Sequence, residues 1–200
     1  MARKWTEKRK TLKKYDTTAA SYDAQYMMEQ RNKFDVTLNH IELNSKSVVL
    51  DVGCGTGLLA ERIANYARFI VCVDFSSSML DKAKNRLKPF KNIAIICADA
   101  DTLPFHSNIF TNVFAITVLQ NMPNPTDTLN EITRVAKTNA LMIVSGLKKN
   151  FTLSSFKMTL ANSNLKQITI DNGENIKDHV AACRKANHST LKNQDFPRYN

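Results

Sequence analysis

The chain is predicted to fold as a doubly wound α/β domain on a mostly parallel sheet, and three observations carry that prediction. Strand-like apolar runs alternate with helical segments five times between Ser47 and Leu147. Three of those runs end on an acid: Asp51, Asp74 and Asp99. The first is followed at once by Gly53, Gly55 and Gly57.

The elements follow in order. "YDTTAASYDAQYMMEQRNKFDVTLNHI" lacks Gly and Pro and reads as helical, with Phe34, Leu38 and Ile41 on one buried face. "SVVLDV" is a continuous apolar run, the pattern of a central parallel strand buried on both sides. "GLLAERIANYA" reads as a helix and "FIVCVD" as the second strand. Ser76 can cap the next helix, whose inner residues are Met79, Leu80, Ala83 and Leu87 and which stops before Pro89. "NIAIICAD" and "NVFAIT" are the third and fourth strands. Asn124, Pro125 and Asp127 supply a cap, a first-turn proline and an acid at the positive helix end. Leu129, Ile132, Val135 and Ala136 form that helix's inner face, and "ALMIVSGL" is the fifth strand. After a helix around Leu153–Leu160, "LKQITI" and "DHVAAC" are separated only by "DNGEN". So short a turn joins antiparallel strands, and the sheet is expected to end in a hairpin.

Bulk properties narrow the class. Two hundred residues, 43% of them hydrophobic, suit one domain. No apolar run approaches the roughly 20 residues of a membrane span, and no signal-peptide core follows the basic start, so a cytoplasmic protein is expected. Cys54, Cys72, Cys97 and Cys183 form no C-x-x-C pair, which argues against zinc; Cys72 and Cys97 read as small buried hydrophobes. The scattered His40, His179 and His188 suggest no metal site. Arg3, Lys4, Lys8, Arg9, Lys10, Lys13 and Lys14, opposed by Glu7, give the segment before Tyr15 a net +6 of the chain's +10. That segment reads either as a solvated tail or as an arm able to track phosphates. The expected organisation is a basic arm over 1–14, the domain over 15–186 and a polar tail over 187–200.

In an open α/β sheet ligands bind beyond the carboxyl ends of the strands, where the three acids gather. The glycines permit a tight turn and let a ligand touch backbone N–H groups. Asp74 lies 17 residues past Gly57, a spacing suited to binding both hydroxyls of a ribose. Two cofactor classes remain open: a dinucleotide, or a nucleoside with a cationic amino-acid tail. Asp51 in the turn would face the pyrophosphate of the first but suits an ammonium or sulfonium of the second. Asp99 can accept from an adenine amino group.

"VLDVGCGTG", "VDFSSSML", "ADADTLPF" and "FAITVLQNMPNP" together resemble the class I S-adenosylmethionine-dependent methyltransferases, in particular the small single-domain ubiquinone and menaquinone group. The resemblance covers about residues 15–185. It implies a Rossmann-like seven-stranded sheet with a reversed C-terminal strand, with S-adenosylmethionine as cofactor and S-adenosylhomocysteine as product. It places Asp51, Gly53, Gly55 and Gly57 under the methionine part and Asp74 on the ribose. Phe75 and Met79 lie near the adenine, Asp99 and Ala100 at the adenine edge, and Thr117 and Val118 beside the sulfur. "YDTTAASYD" resembles the lid, with Tyr15 and Tyr22 over the cofactor. Two departures stand out: Thr111 and Asn112 replace a frequent Phe-Asp start of the fourth strand, and "KTNA" replaces a glycine-rich turn before the fifth.

Gln120, Asn121 and His106 are the candidate acceptor contacts, with no catalytic base identified. Met27, Met28 and Met122 read as packing residues, and Trp5 as an exposed aromatic. "NMPNP" lacks the aromatic that an Asn-Pro-Pro motif for nitrogen methylation requires. The expected function is methyl transfer, with a small-molecule acceptor favoured. An RNA or protein acceptor held by the basic arm, or a non-catalytic cofactor-binding subunit, are the alternatives. Neither the acceptor atom nor the oligomeric state is legible.

Overall fold

Val49 and Leu50 are both fully buried, yet they belong to different cores. Side chains alternate across a strand, so a strand covered on both faces feeds two hydrophobic layers. The computed structural model describes residues 2–163 and 165–185, with side chains from residue 4 onward. The predicted 187–200 tail, His188 and the side chain of Arg3 lie outside the described residues.

The strands are β1 (Val48–Val52), β2 (Phe69–Asp74), β3 (Ile93–Cys97), β4 (Phe110–Ala115), β5 (Ala136–Leu147), β6 (Leu165–Asp171) and β7 (Asp178–Lys185). The helices are α1 (Ala2–Thr18), α2 (Tyr22–Leu38), α3 (Leu58–Ile63), α4 (Ser77–Leu87), α5 (Pro125–Val135) and α6 (Leu153–Ala161). The sheet runs β3-β2-β1-β4-β5-β7-β6. β1 to β5 are parallel, whereas β7 is antiparallel to both β5 and β6. The doubly wound, seven-stranded, mostly parallel sheet and its C-terminal hairpin are therefore present. One core packs Leu50, Val113, Met142 and Val144 against Leu129 and Ile132 of α5 and Phe156 of α6. The other packs Val49, Ile70, Cys72 and Ile143 against Phe34 of α2, Ile63 of α3 and Leu80 and Ala83 of α4.

The local signals held where they rested on caps. Ser76 Oγ accepts from Met79 N at 3.2 Å, and Met79, Leu80, Ala83 and Leu87 are the buried residues of α4. Asn124 Oδ1 accepts from Thr126 N, with Pro125 at the first turn of α5.

Other expectations need correction. The basic segment is neither a tail nor a separate arm: α1 runs unbroken to Thr18 and lies against α4 and the strand ends. The long helical stretch is two helices, parted by a turn in which Ser21 N donates to Thr18 O and Ala19 is buried. α3 spans only six residues. Cys97 is exposed, because β3 is the edge of the sheet. β5 starts at Ala136, directly from α5, and Asn139 adopts φ +63°, the conformation the absent turn glycine would have taken. At the other departure, Thr111 Oγ1 accepts from Val48 N at 2.9 Å and so ties β4 to β1.

Candidate functional site

The carboxyl ends of β1, β2 and β4, with the residues just past β3, open into one cavity. Each is delivered by its strand, so Asp51, Asp74 and Asp99 converge although 48 residues separate the first from the last. Gly53 and Gly55 form the floor. Gly55 has φ +55°, and a Cβ there would meet nothing within 4 Å, since it would project into open space. Gly57 differs. It is absent from the cavity lining, caps α3 with φ +82°, and a Cβ would lie 2.9 Å from Leu87 Cδ1. Its glycine is required for packing against α4.

Asp74 organises the loop. Its Oδ2 accepts from Gly55 N and its Oδ1 from Ser76 N, both at 2.9 Å. Burial still pushes its carboxyl above the usual range. Asp51 is buried further, and its Oδ2 has no hydrogen-bond partner among the described residues. Burial, followed by the nearby Asp74 charge, raises it to about 8. Two buried acids that are costly to ionise make a site that a cationic ligand relieves and an anionic pyrophosphate aggravates. The orphaned Asp51 oxygen and the open face of Gly55 therefore suit a nucleoside with a cationic tail better than a dinucleotide.

Phe75, Met79, Asp99, Ala100, Thr117, Val118, Tyr15 and Tyr22 all line the same cavity, as does Asn121. Burial raises both tyrosine hydroxyls. Tyr15 OH accepts from Asn121 Nδ2 at 3.0 Å and Tyr22 OH from Gln30 Nε2 at 3.3 Å. Gln120 and His106 are not brought in: Gln120 turns back to donate to Thr117 O, and His106 is exposed on a loop. Met122, expected to be packing only, is part of the lining, whereas Met28 is exposed.

Sequence reading missed Lys8. It is 9% exposed, and its Nζ bonds both Asp99 oxygens, at 2.7 and 2.6 Å, and lies 2.5 Å from Asp101. Lys4 pairs with Asp127 at 2.7 Å, and Trp5 sits 6.4 Å from Phe75. Lys8 is thus engaged within the domain, while the Lys4 pair lies at the surface. The spacing of Lys8, Leu12 and Tyr15 (i, i+4, i+7) was the available signal for this inward face. Phe34 and Gln30 of α2 complete the wall. Asp23 of α2 accepts from Thr56 Oγ1 at 2.6 Å and pairs with Arg86, locking α2 over the glycine loop.

Fold and site together define a nucleoside-binding domain of the open α/β class, with its ligand cavity at the strand ends. Residues 50–144 match the family described as "Methyltransferase domain". The chain is 29% identical over 184 residues to the malonyl-[acyl-carrier protein] O-methyltransferase of Marinomonas sp. (strain MWYL1), covering 88% of this chain and 62% of the relative. It is 32% identical over 104 residues to the ubiquinone biosynthesis O-methyltransferase of Coxiella burnetii (strain Dugway 5J108-111), covering 52% and 44%. It thus spans less than two thirds of these relatives. Among solved structures, a SAM-dependent methyltransferase from Aquifex aeolicus superposes with TM-score 0.74 at 15% identity, covering 86% of this chain and 98% of that one. No described helix is long and apolar enough to cross a membrane.

Proposed function

We propose that the chain is an S-adenosylmethionine-dependent methyltransferase acting on a small-molecule acceptor. The observation that carries this reading is the buried, partnerless Asp51 oxygen beside Asp74 in a cavity floored by Gly53 and Gly55. In this reading Asp51 faces the ammonium end, Asp74 the ribose hydroxyls and Asp99 with Ala100 the adenine edge. Phe75 and Met79 cover the adenine, while Tyr15, Tyr22, Thr117, Val118 and Asn121 surround the methyl end. The cofactor supplies a methyl group already activated on a sulfonium. What remains for the protein is to align the acceptor and exclude water. Burial holds Tyr15 and Tyr22 neutral, so they act as hydrogen-bonding walls and not as bases. The names of the relatives, which include quinone-pathway and malonyl-carrier O-methyltransferases, favour an oxygen acceptor on a metabolite. The free, mostly buried cysteines favour a reducing, cytoplasmic setting.

A second reading has an observation of its own. Arg9, Lys10, Lys13 and Lys14 are exposed along α1, beside the cavity. Such a ridge suits the phosphates of RNA.

Transfer of labelled methyl from S-adenosylmethionine into a fractionated cell extract tests both, with Asp74→Ala as control. Label in the small-molecule fraction that disappears with the variant is the expected result. Label in RNA would move the assignment to the ridge. Tight cofactor binding without transfer to any fraction would leave a non-catalytic subunit.

A further inference from the structure

Thr117 lies in the cavity wall with φ +64°, a left-handed conformation that strains a β-branched residue. Each of its polar groups is held. Its N–H donates to Ser145 Oγ at 2.8 Å, and its carbonyl accepts from Gln120 Nε2 and Asn121 Nδ2. Its hydroxyl accepts from Lys33 Nζ at 2.7 Å. Lys33 is 1% exposed and pairs at 2.9 Å with Asp178, which is 0% exposed. Asp178 in turn accepts from Ser145 Oγ at 2.8 Å. Lys33, Asp178 and Ser145 therefore form a closed ring behind Thr117, drawn from α2, β7 and β5.

A fully buried ion pair is a poor device for stability, because desolvation offsets most of its attraction and an apolar pair of equal volume does as well or better. This one instead acts on a single residue. We propose that the Lys33–Asp178 pair is a positioning element that holds Thr117 in its left-handed turn and so shapes the methyl-transfer end of the cavity. The geometry supplies the route. The turn at Thr117 drives Val118 toward the glycine loop, so closely that a Cβ at Gly53 would lie 2.6 Å from Val118 Cγ2. Lys33 also anchors α2 between Gln30 and Phe34, two of the three residues, with Tyr22, that α2 gives to the wall. Neither Lys33 nor Asp178 lines the cavity, so both act through Thr117. For its consequence, though not for its geometry, the inference rests on the cofactor reading above.

The test is the double variant Lys33→Met/Asp178→Leu, which leaves no unpaired buried charge, read with S-adenosylhomocysteine as the probe. The expected result is a cooperative melt near that of the wild type with affinity at least tenfold weaker by calorimetry. The Thr117 amide coupling and Cα shift should also leave the left-handed range by NMR. Adding Thr117→Gly, which adopts positive φ freely, should restore affinity to within about threefold; a purely structural pair would not be rescued at a residue it merely touches. Thr117→Val, which exchanges the hydroxyl for a methyl group, is the second variant and should weaken binding in the same direction. Unchanged affinity and an unchanged Thr117 signature in the double variant, or unchanged affinity in Thr117→Val, would overturn the inference. A wild type that binds no S-adenosylhomocysteine would overturn the cofactor reading instead, and the Thr117 NMR signature would still decide the positioning role.

Discussion

At the scale of single residues, two glycines of one motif answer to different forces. Gly57→Ala places a Cβ 2.9 Å from Leu87 at φ +82°, and left-handed strain alone costs about 1–2 kcal/mol. Its thermal midpoint should fall by several degrees while affinity for S-adenosylhomocysteine changes little. Gly55→Ala meets no neighbour within 4 Å, so its midpoint should fall less, but its Cβ occupies ligand space and affinity should drop at least tenfold. Paired thermal melts and calorimetry separate the two. Asp51 carries a pH prediction. Its carboxyl is raised from 3.8 to about 8, so the folded state holds a proton that the unfolded chain has released. Stability therefore falls as pH rises from about 4 to about 8 and levels above. Asp51→Asn removes this slope, and its thermal midpoint should gain on the wild type steadily between pH 5 and pH 8. A bound ammonium favours the ionised acid, so S-adenosylhomocysteine binding at pH 7 should release a proton, measurable by calorimetry in buffers of different ionisation enthalpy.

Helix α1 shows at the scale of elements where sequence reading succeeds and where it stops. Caps at Ser76 and Asn124, the continuous apolar run of β1 and the short turn before β7 are local, and each was visible in the chain. The inward face of α1 depends on what lies opposite. Lys8 is a surface residue by type and becomes buried only because Asp99 and Asp101, about 90 positions later, are brought beneath it. The break at Ala19 likewise contains no Gly or Pro; tertiary packing makes it. Gln120 and Asn121 were indistinguishable as neighbours, and both donate to Thr117 O, but the turn of 3-10 helix over Leu119–Asn121 brings only Asn121 into the cavity lining. The Lys8 ion pairs give α1 a test. Trp5, the sole tryptophan, rests near Phe75. Lys8→Gln leaves Asp99 and Asp101 facing one another, and the helix should loosen, with Trp5 quenching by acrylamide rising about twofold. An unchanged quenching constant would mean that α1 docks without the ion pair.

On the scale of the whole molecule, the cavity joins α1, α2 and the strand ends, so a ligand there ties together elements far apart in the chain. S-Adenosylhomocysteine at about 100 times its Kd should stabilise the fold by about 2.7 kcal/mol, several degrees for a chain of this size. NAD at equal concentration should leave the midpoint unmoved, because its pyrophosphate meets Asp51 and Asp74. The alternation that predicted the sheet reports connectivity, and it was sufficient for β1 to β5. The order β5-β7-β6 has a consequence for synthesis. Of the seven described strands, the last to leave the ribosome is not the outermost but the one that fills the gap between two earlier strands. Until it arrives, β5 keeps a bare edge open to other nascent chains, β6 has no neighbour to pair with, and Lys33 has no counter-charge. A chain cut short before residue 178 thus lacks its partner in three places at once: the edge of β5, the whole of β6 and the charge of Lys33.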